Sequence, residues 1–315
     1  MTTASRPAIT VRGLRKTYGS QVVLDGIDFD VAEGTVFALL GPNGAGKTTT
    51  VQILSTLITA EAGDASVGGH DVGCEPDAVR HLIGVTGQFS AVDGQFTGEE
   101  NLRLMADLRH LGAAGRAQVR ELLARFDLAE AAGKPVMTYS GGMKRRLDLA
   151  MTLVGSPRII FLDEPTAGLD PRSRRTLWQT VRDLVADGVT IFLTTQYLEE
   201  ADELASRIAL LDHGRIVAQG TPSELKRLVP GGRVRLEFAD AFALDRAVRL
   251  LGAGRRDEDA LALELPRRDG TEALRRLLDQ LAAASIEVDG LAVHTADLDD
   301  VFLSLTGSPE EASVR

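Results

Sequence analysis

The sequence predicts an α/β fold with a buried parallel sheet, followed by a small α+β unit. Three observations carry this reading. Apolar runs at 36–40, 159–162 and 189–193 lack the alternation of a one-sided strand, and each ends at a glycine or a polar residue. That is the pattern of strands covered on both faces. Helical periodicity fills much of the chain between them, and strands alternating with helices build a sheet whose ligands lie at the carboxyl ends of its strands. Finally, Pro230-Gly231-Gly232 interrupts the pattern, as Pro and Gly do at a connection between patterned segments.

In chain order, 9–14 and 26–31 read as short strands, 36–40 as a strand entering a Gly-rich turn, and 48–57 as the helix after it. Residues 63–72 resemble a hairpin segment leading to a strand at 82–87. From 97 to 153 the pattern is mainly helical, with amphipathic candidates at 101–111 and 117–126, so a helical insertion of about 89–155 divides two strand-rich parts. Past 230, strands at 233–238, 261–265 and 286–294 and helices at 244–251 and 271–284 make up the α+β unit. The last residues, 308–315, read as a frayed tail. The expected division is therefore 1–229 and 230–315.

With 315 residues, 44% hydrophobic and 25% charged, the chain has the composition of a globular protein and enough length to bury a large core and a smaller one. Its net charge of -10 opposes a general nucleic-acid binder, which needs a basic face to neutralise phosphates. The single cysteine, Cys74, has no internal partner for a disulfide, as suits a reducing compartment. Met1 to Pro7 carries no apolar core of signal-peptide length, and no stretch approaches the apolar length of a membrane helix. The chain is expected to work beside a membrane if it works at one. His70, His81, His110, His213 and His294 show no metal-ligand spacing.

Gly41-Pro42-Asn43-Gly44-Ala45-Gly46-Lys47-Thr48 fits the phosphate-loop pattern G-x-x-x-x-G-K-[ST] and lies between a predicted strand and a predicted helix, as that motif requires. Glycines let backbone N–H groups curl round phosphates, and the helix N-terminus adds positive potential. Lys47 is the residue expected to reach the terminal phosphates, and Thr48 the one to ligate Mg²⁺; Thr49 follows on the same helix start. Asp163 and Glu164 end the buried run 159–162. In a phosphate-loop sheet that is where metal and attacking water belong, with Asp163 holding Mg²⁺ and Glu164 orienting or deprotonating the water. Ser140-Gly141-Gly142 opens another helical pattern, where Ser140 is a good N-cap and the glycines expose backbone donors. A second anion-binding helix start in a chain with one phosphate loop invites a partner copy.

With these motifs in this order the chain resembles the nucleotide-binding subunits of ABC transporters over about residues 8–225. The resemblance implies a P-loop NTPase cassette with a RecA-like core, an antiparallel β subdomain and a helical subdomain. It also implies MgATP as ligand and a homodimer in which each nucleotide lies between one chain's phosphate loop and the other's signature, Ser140 to Gly142. By the same resemblance Tyr18 stacks on adenine, Gln88 links Mg²⁺ and water to a membrane partner, Asp170 bridges the two active sites, and Thr195-Gln196 is the switch. The implied setting is the cytoplasmic face of the cell membrane, against an integral permease, with no nucleic acid.

Two departures stand out. Tyr139 and Met143 replace the usual Leu and Gln around the signature, and Gln196 replaces the usual switch histidine. Glutamine can donate a hydrogen bond to a γ-phosphate but cannot carry the charge or shuttle the proton of imidazole, so slow turnover with Glu164 bearing the chemistry is expected. That Gln switch, the run from Tyr139 to Ala150 (Tyr-Ser-Gly-Gly-Met-Lys-Arg-Arg-Leu-Asp-Leu-Ala) and the late segment Leu298 to Gly307 (Leu-Asp-Asp-Val-Phe-Leu-Ser-Leu-Thr-Gly) are similar to the daunorubicin-resistance type of drug-exporting ATPase, and carry the likeness over nearly the whole chain. That type implies a C-terminal unit that aids assembly. Two other readings remain at this point. A soluble ATPase acting on ribosomes or DNA would carry joined cassettes or long coiled coils, whereas 51 residues without sustained heptads separate Gln88 from Ser140. A regulatory module that grips ATP without hydrolysing it is suggested by Gln196 and opposed by Glu164.

Overall fold

The computed structural model describes residues 7–87, 91–229, 232–252, 254–266, 271–294 and 297–306. Contacts divide the chain into two units, Met1–Pro222 and Ser223–Arg315. That division falls a few residues before the expected 229/230; Pro230 and Gly231 lie outside the described residues, as does the expected tail 308–315.

Along the first unit run β1 (Ile9–Tyr18), β2 (Gln21–Val31), β3 (Val36–Leu40), α1 (Lys47–Leu54), β4 (Ala62–Val67), β5 (His70–Asp71), α2 (Pro76–Leu82), β6 (Ile83–Thr86), α3 (Gly98–Leu108), α4 (Gly112–Arg125), α5 (Gly141–Thr152), β7 (Ile159–Asp163), α6 (Pro171–Ala186), β8 (Thr190–Thr195), α7 (Leu198–Leu204), β9 (Arg207–Asp212) and β10 (Arg215–Gly220). One sheet has the order β2-β1-β4-β5 and is antiparallel throughout. The other has the order β10-β9-β3-β8-β7-β6, parallel from β9 to β6, with antiparallel β10 at its edge.

Every residue of β3, β7 and β8 is buried, which is why these strands read as unbroken apolar runs. Between the sheets stands a row of phenyl rings. Phe29 of β2 stacks on Phe37 of β3 at 5.1 Å, Phe37 on Phe192 of β8 at 5.6 Å, and Phe192 meets Phe161 of β7 at 5.5 Å. Such pairs contribute about 0.5–1.5 kcal/mol each beyond their burial, and here they fix the strand carrying the phosphate loop against both sheets. The helical insertion is α3, α4 and α5. Thr97 and Glu100 form a reciprocal capping box at the start of α3, so that helix begins at Gly98, three residues earlier than periodicity suggests.

Several elements correct the sequence reading. The strand expected at 26–31 begins at Gln21 and takes in Val22, Val23 and the buried Leu24. Leu82 belongs to α2, and the strand expected to start there is Ile83–Thr86. Helices α2, α6 and α7 and strands β9 and β10 were not separately expected. The amphipathic helix α6, which buries Leu177, Trp178, Val181 and Leu184, starts at Pro171 with Asp170 as its cap, a signal that was available.

After α8 (Pro222–Lys226), the second unit runs β11 (Arg233–Glu237), α9 (Ala241–Leu251), β12 (Arg255–Asp257), β13 (Ala262–Pro266), α10 (Thr271–Ala283), β14 (Gly290–His294) and α11 (Leu298–Thr306). Its sheet has the order β12-β13-β11-β14 with antiparallel pairs, a β-α-β-β-α-β succession followed by one more helix. Val234, Leu236, Leu244, Leu263 and Leu281 are in its core. Strand β14 starts at Gly290 rather than 286, because Ser285 takes a positive φ of 52° that breaks the chain direction after α10.

Candidate nucleotide site

The site lies at the carboxyl ends of β3, β7 and β8, where three strands deliver their following residues to one place. Gly41 leaves β3 so close to β9 that a Cβ there would lie 2.2 Å from the Leu211 carbonyl oxygen. Its N–H donates to the Thr195 carbonyl at 3.2 Å, tying the loop to the end of β8. Gly46 caps α1 with φ 111°, in a region that only glycine adopts without strain, and a Cβ there would lie 2.7 Å from Leu24. Between them Pro42, Asn43, Gly44 and Ala45 form the loop, with Asn43 and Gly44 exposed.

Lys47 is 4% exposed and arches back over this loop. Its ammonium donates to the carbonyls of Gly41 at 2.8 Å and Pro42 at 3.0 Å and pairs with Glu164 Oε1 at 3.1 Å. The Thr48 hydroxyl, from the next residue of α1, donates to Asp163 Oδ2 at 2.9 Å. Asp163 Oδ1 accepts from the Thr194 hydroxyl of β8, a partner that sequence reading passed over; a polar residue near the end of a fully buried strand was its only signal. Glu164 has φ 48°, uncommon for a residue with a side chain, and its N–H donates to the Thr194 carbonyl at 3.0 Å. The bend turns the Glu164 carboxylate back towards Lys47 rather than along the strand.

A hydroxyl and a carboxylate within hydrogen-bond distance of each other are the hard oxygen donors that a magnesium ion takes from a protein. Thr48 and Asp163 therefore fit Mg²⁺.

Ser140 is exposed and caps α5, its Oγ accepting from the Met143 N–H at 3.3 Å. The departure at Tyr139 has a structural reason. The ring is buried and its hydroxyl donates to the Ala131 carbonyl at 2.7 Å, which fixes the turn that presents Ser140 to Gly142. A Cβ on Gly142 would lie 2.6 Å from Ser173 Oγ. Asp170 caps α6, accepting from the N–H groups of Arg172 and Ser173 at 3.0 Å each and from the Ser173 hydroxyl at 2.6 Å. Those hydrogen bonds, the Ser173 hydroxyl first, hold its pKa below the ordinary aspartate value. The predicted bridging residue thus has an intrachain duty as a helix cap.

Tyr18 ends β1 half-exposed with the Lys16 ammonium 5.4 Å from its ring centre. Gln196 follows β8 and is half-buried, and Thr49 is half-buried on α1. Gln88 lies outside the described residues. The structure brings Lys47, Thr48, Asp163 and Glu164 into direct contact; Ser140 and Asp170 sit at neighbouring helix starts. Near the switch, sequence reading missed Glu200 of α7. It is fully buried, accepts from the Trp178 indole N–H at 3.2 Å, and has its pKa raised by burial.

A strand-loop-helix phosphate cradle facing an Asp and a Glu at the end of β7, one strand removed across β8, defines a phosphate-loop nucleotide-binding cassette. Residues 24–167 match the ABC transporter family. The chain is 51% identical to the daunorubicin resistance ATP-binding protein DrrA3 of Streptomyces coeruleorubidus, over 95% of this chain and 96% of that protein. It is 46% identical to the daunorubicin/doxorubicin resistance ATP-binding protein DrrA of Streptomyces peucetius, over 99% and 96%. Nod factor export ATP-binding protein I of Ralstonia nicotianae is 38% identical over 96% and 95%. Among solved structures, an ATP-binding subunit of an ABC transporter superposes with a TM-score of 0.63 at 29% identity, covering 70% of this chain and 92% of that one. A dimeric ATP-binding cassette in a post-hydrolysis state with ADP and Pi gives 0.62 at 25%, covering 68% and 98%. The chain belongs to the ABC transporter family of ATP-binding proteins. It is a transport ATPase subunit that binds ATP, and among the described residues no helix is long and apolar enough to cross a membrane.

Proposed function

We propose that two copies of this chain close on two MgATP molecules and drive export of a drug or other hydrophobic compound through a separate membrane permease. The carrying observation is the contact of Lys47 with Glu164 and of Thr48 with Asp163, which brings together the four side chains expected to serve phosphate, metal and water. The names of the DrrA relatives support a drug or antibiotic as cargo, and the dimeric solved cassette supports pairing of copies.

In this mechanism the phosphate loop and Lys47 hold the β- and γ-phosphates, and Tyr18 stacks on the adenine. Thr48, Asp163 and, by the family resemblance, Gln88 would hold Mg²⁺, which would supply positive charge to the phosphate oxygens. Glu164 takes or orients the proton of the attacking water, and Gln196 donates a hydrogen bond to the γ-phosphate. Ser140, Gly141 and Gly142 of the second copy cover the same phosphate from the far side, and Asp170 lies at the seam. Loss of the γ-phosphate then opens the pair, as in other nucleotide-driven order switches. The helical insertion passes that motion to the permease on the cytoplasmic face of the membrane, and the C-terminal unit aids assembly. Nucleic acid has no part.

The test is co-expression with a candidate permease having about six membrane helices, a number that rests on the family resemblance and the span such helices need. Cells should survive anthracyclines with the parent chain and not with Lys47→Ala, and the two proteins should co-purify. Co-purification with ribosomes instead, and no permease, would overturn the transport reading.

A further inference from the structure

Arg145 lies on α5, beyond the signature turn, with its side chain only 12% exposed. Its Nε donates to the Pro165 carbonyl at 2.8 Å, and its Nη1 donates to Asp148 Oδ2 at 2.9 Å and to the Gly87 carbonyl at 3.4 Å. Pro165 follows Glu164, Gly87 precedes Gln88, and Asp148 anchors the fork to α5 itself. A planar guanidinium holds three such points from separate nitrogens in fixed directions, whereas a lysine ammonium gathers its three donors on one nitrogen. Burying it has a cost: desolvation pushes its pKa down, against the attraction of Asp148, Glu200 and Asp163. A residue kept charged there is holding segments together.

One corner of the fork is open. Arg145 Nη2 is buried without a hydrogen-bond partner. The other such side-chain atoms among the described residues are Thr166 Oγ1, Arg174 Nε and Glu200 Oε2, on the segments that follow Glu164, Asp170 and Gln196. Two of the four atoms are cationic donors and one is a carboxylate acceptor, all buried polar groups of the kind that folded proteins ordinarily pair.

We infer that Arg145 is a positioning residue, carrying occupancy of the signature turn Ser140 to Gly142 to Glu164 and to Gly87 of the same chain. This rests on the paired-cassette reading, in which that turn meets the nucleotide held by the second copy. Because α5 moves as one helix, a displacement at Ser140 moves Arg145, and the Pro165 carbonyl it holds moves the backbone that aims Glu164. Arg145 itself touches no reacting atom.

The test uses the full-length chain with Arg145→Lys and Arg145→Met, each with and without Glu164→Gln. Arg145→Lys should lower kcat by at least about tenfold while KM for ATP stays within about twofold. Its melting temperature should be parental, and Arg145→Lys/Glu164→Gln should dimerise on MgATP as Glu164→Gln does. Arg145→Met, which leaves Asp148 without its cation, should be slower still. A parental kcat in the lysine variant overturns the inference, and so does a loss of kcat matched by lost dimerisation or a lower melting temperature, which a packing role alone would produce. If Glu164→Gln by itself stays monomeric with MgATP, the paired-cassette reading falls and takes the inference with it. If it dimerises while Arg145→Lys turns over normally, only the inference falls.

Discussion

Lys47 and Glu164 form an ion pair 3.1 Å long, with the two side chains only 4% and 9% exposed. The group that should grip the terminal phosphate and the group that should activate water therefore hold each other in this state. An incoming γ-phosphate must share or displace that pairing, which couples nucleotide entry to release of the Glu164 carboxylate. Glu164→Gln should keep ATP binding and lower kcat by roughly 10²–10⁴, the usual contribution of a general base. Phosphate release measures the rate and light scattering the MgATP dimer; a variant hydrolysing at the parental rate would remove Glu164 from its role.

Lys47→Ala acts in the opposite sense. It deletes the phosphate's cation and leaves Glu164 as a nearly buried charge without its partner. Loss of even one hydrogen bond to a charged group is worth about 1.5–3 kcal/mol, so ATP affinity should fall by roughly tenfold or more. Titration with a fluorescent ATP analogue reads this directly, and unchanged affinity would contradict the placement of Lys47.

Gly41→Ala tests the cradle rather than its charges. The added methyl would lie 2.2 Å from a backbone oxygen of Leu211, which has no side-chain freedom with which to retreat. Both melting temperature and ATP binding should drop together. A stable Gly41→Ala protein with parental affinity would mean that the loop approaches β9 less closely than described.

Glu200 supplies a pH dependence. Its ordinary value is 4.5, and burial raises it in the folded state, opposed by the nearby Thr195 and Thr166 hydroxyls, the Trp178 indole N–H and the Arg174 charge. Between 4.5 and the raised value the folded chain holds a proton that the unfolded chain has lost, so this group's contribution to stability falls as pH rises through that window. Glu200→Gln should therefore raise the melting temperature at alkaline pH, and its advantage should shrink as pH falls towards 4.5. An advantage that does not vary with pH would show that Glu200 is not titrating there.

Gln196 follows a buried strand whose last residue, Thr195, is held through its carbonyl to Gly41. Gln196→His would place at the switch an imidazole able to carry charge. Turnover should rise and acquire an inflection near pH 6.5, about the free imidazole value. A flat profile with unchanged kcat would mean that the switch position does not limit this enzyme.

The phosphate loop, the acidic strand end and the signature were legible because each combines a local residue pattern with a local element, and backbone conformation there is set by neighbours in the chain. Three buried parallel strands were legible for the same reason: solvent is excluded from both faces, so every residue of β3, β7 and β8 had to be compatible with burial. Strands β9 and β10 were harder. β10 is an exposed edge strand with alternating burial, and the identity of an edge depends on which neighbour it finds.

By itself, then, the sequence determined the residue types at the site and the strand-loop-helix unit that bends round phosphates, since glycine's freedom and lysine's charge are properties of single residues. Only tertiary structure decided that Glu164 faces Lys47, that Thr194 holds Asp163, and that Arg145 reaches Pro165 and Gly87. These contacts join residues far apart in the chain. Their geometry follows from the register of parallel strands and the burial of polar groups that must find partners, neither of which a linear pattern records.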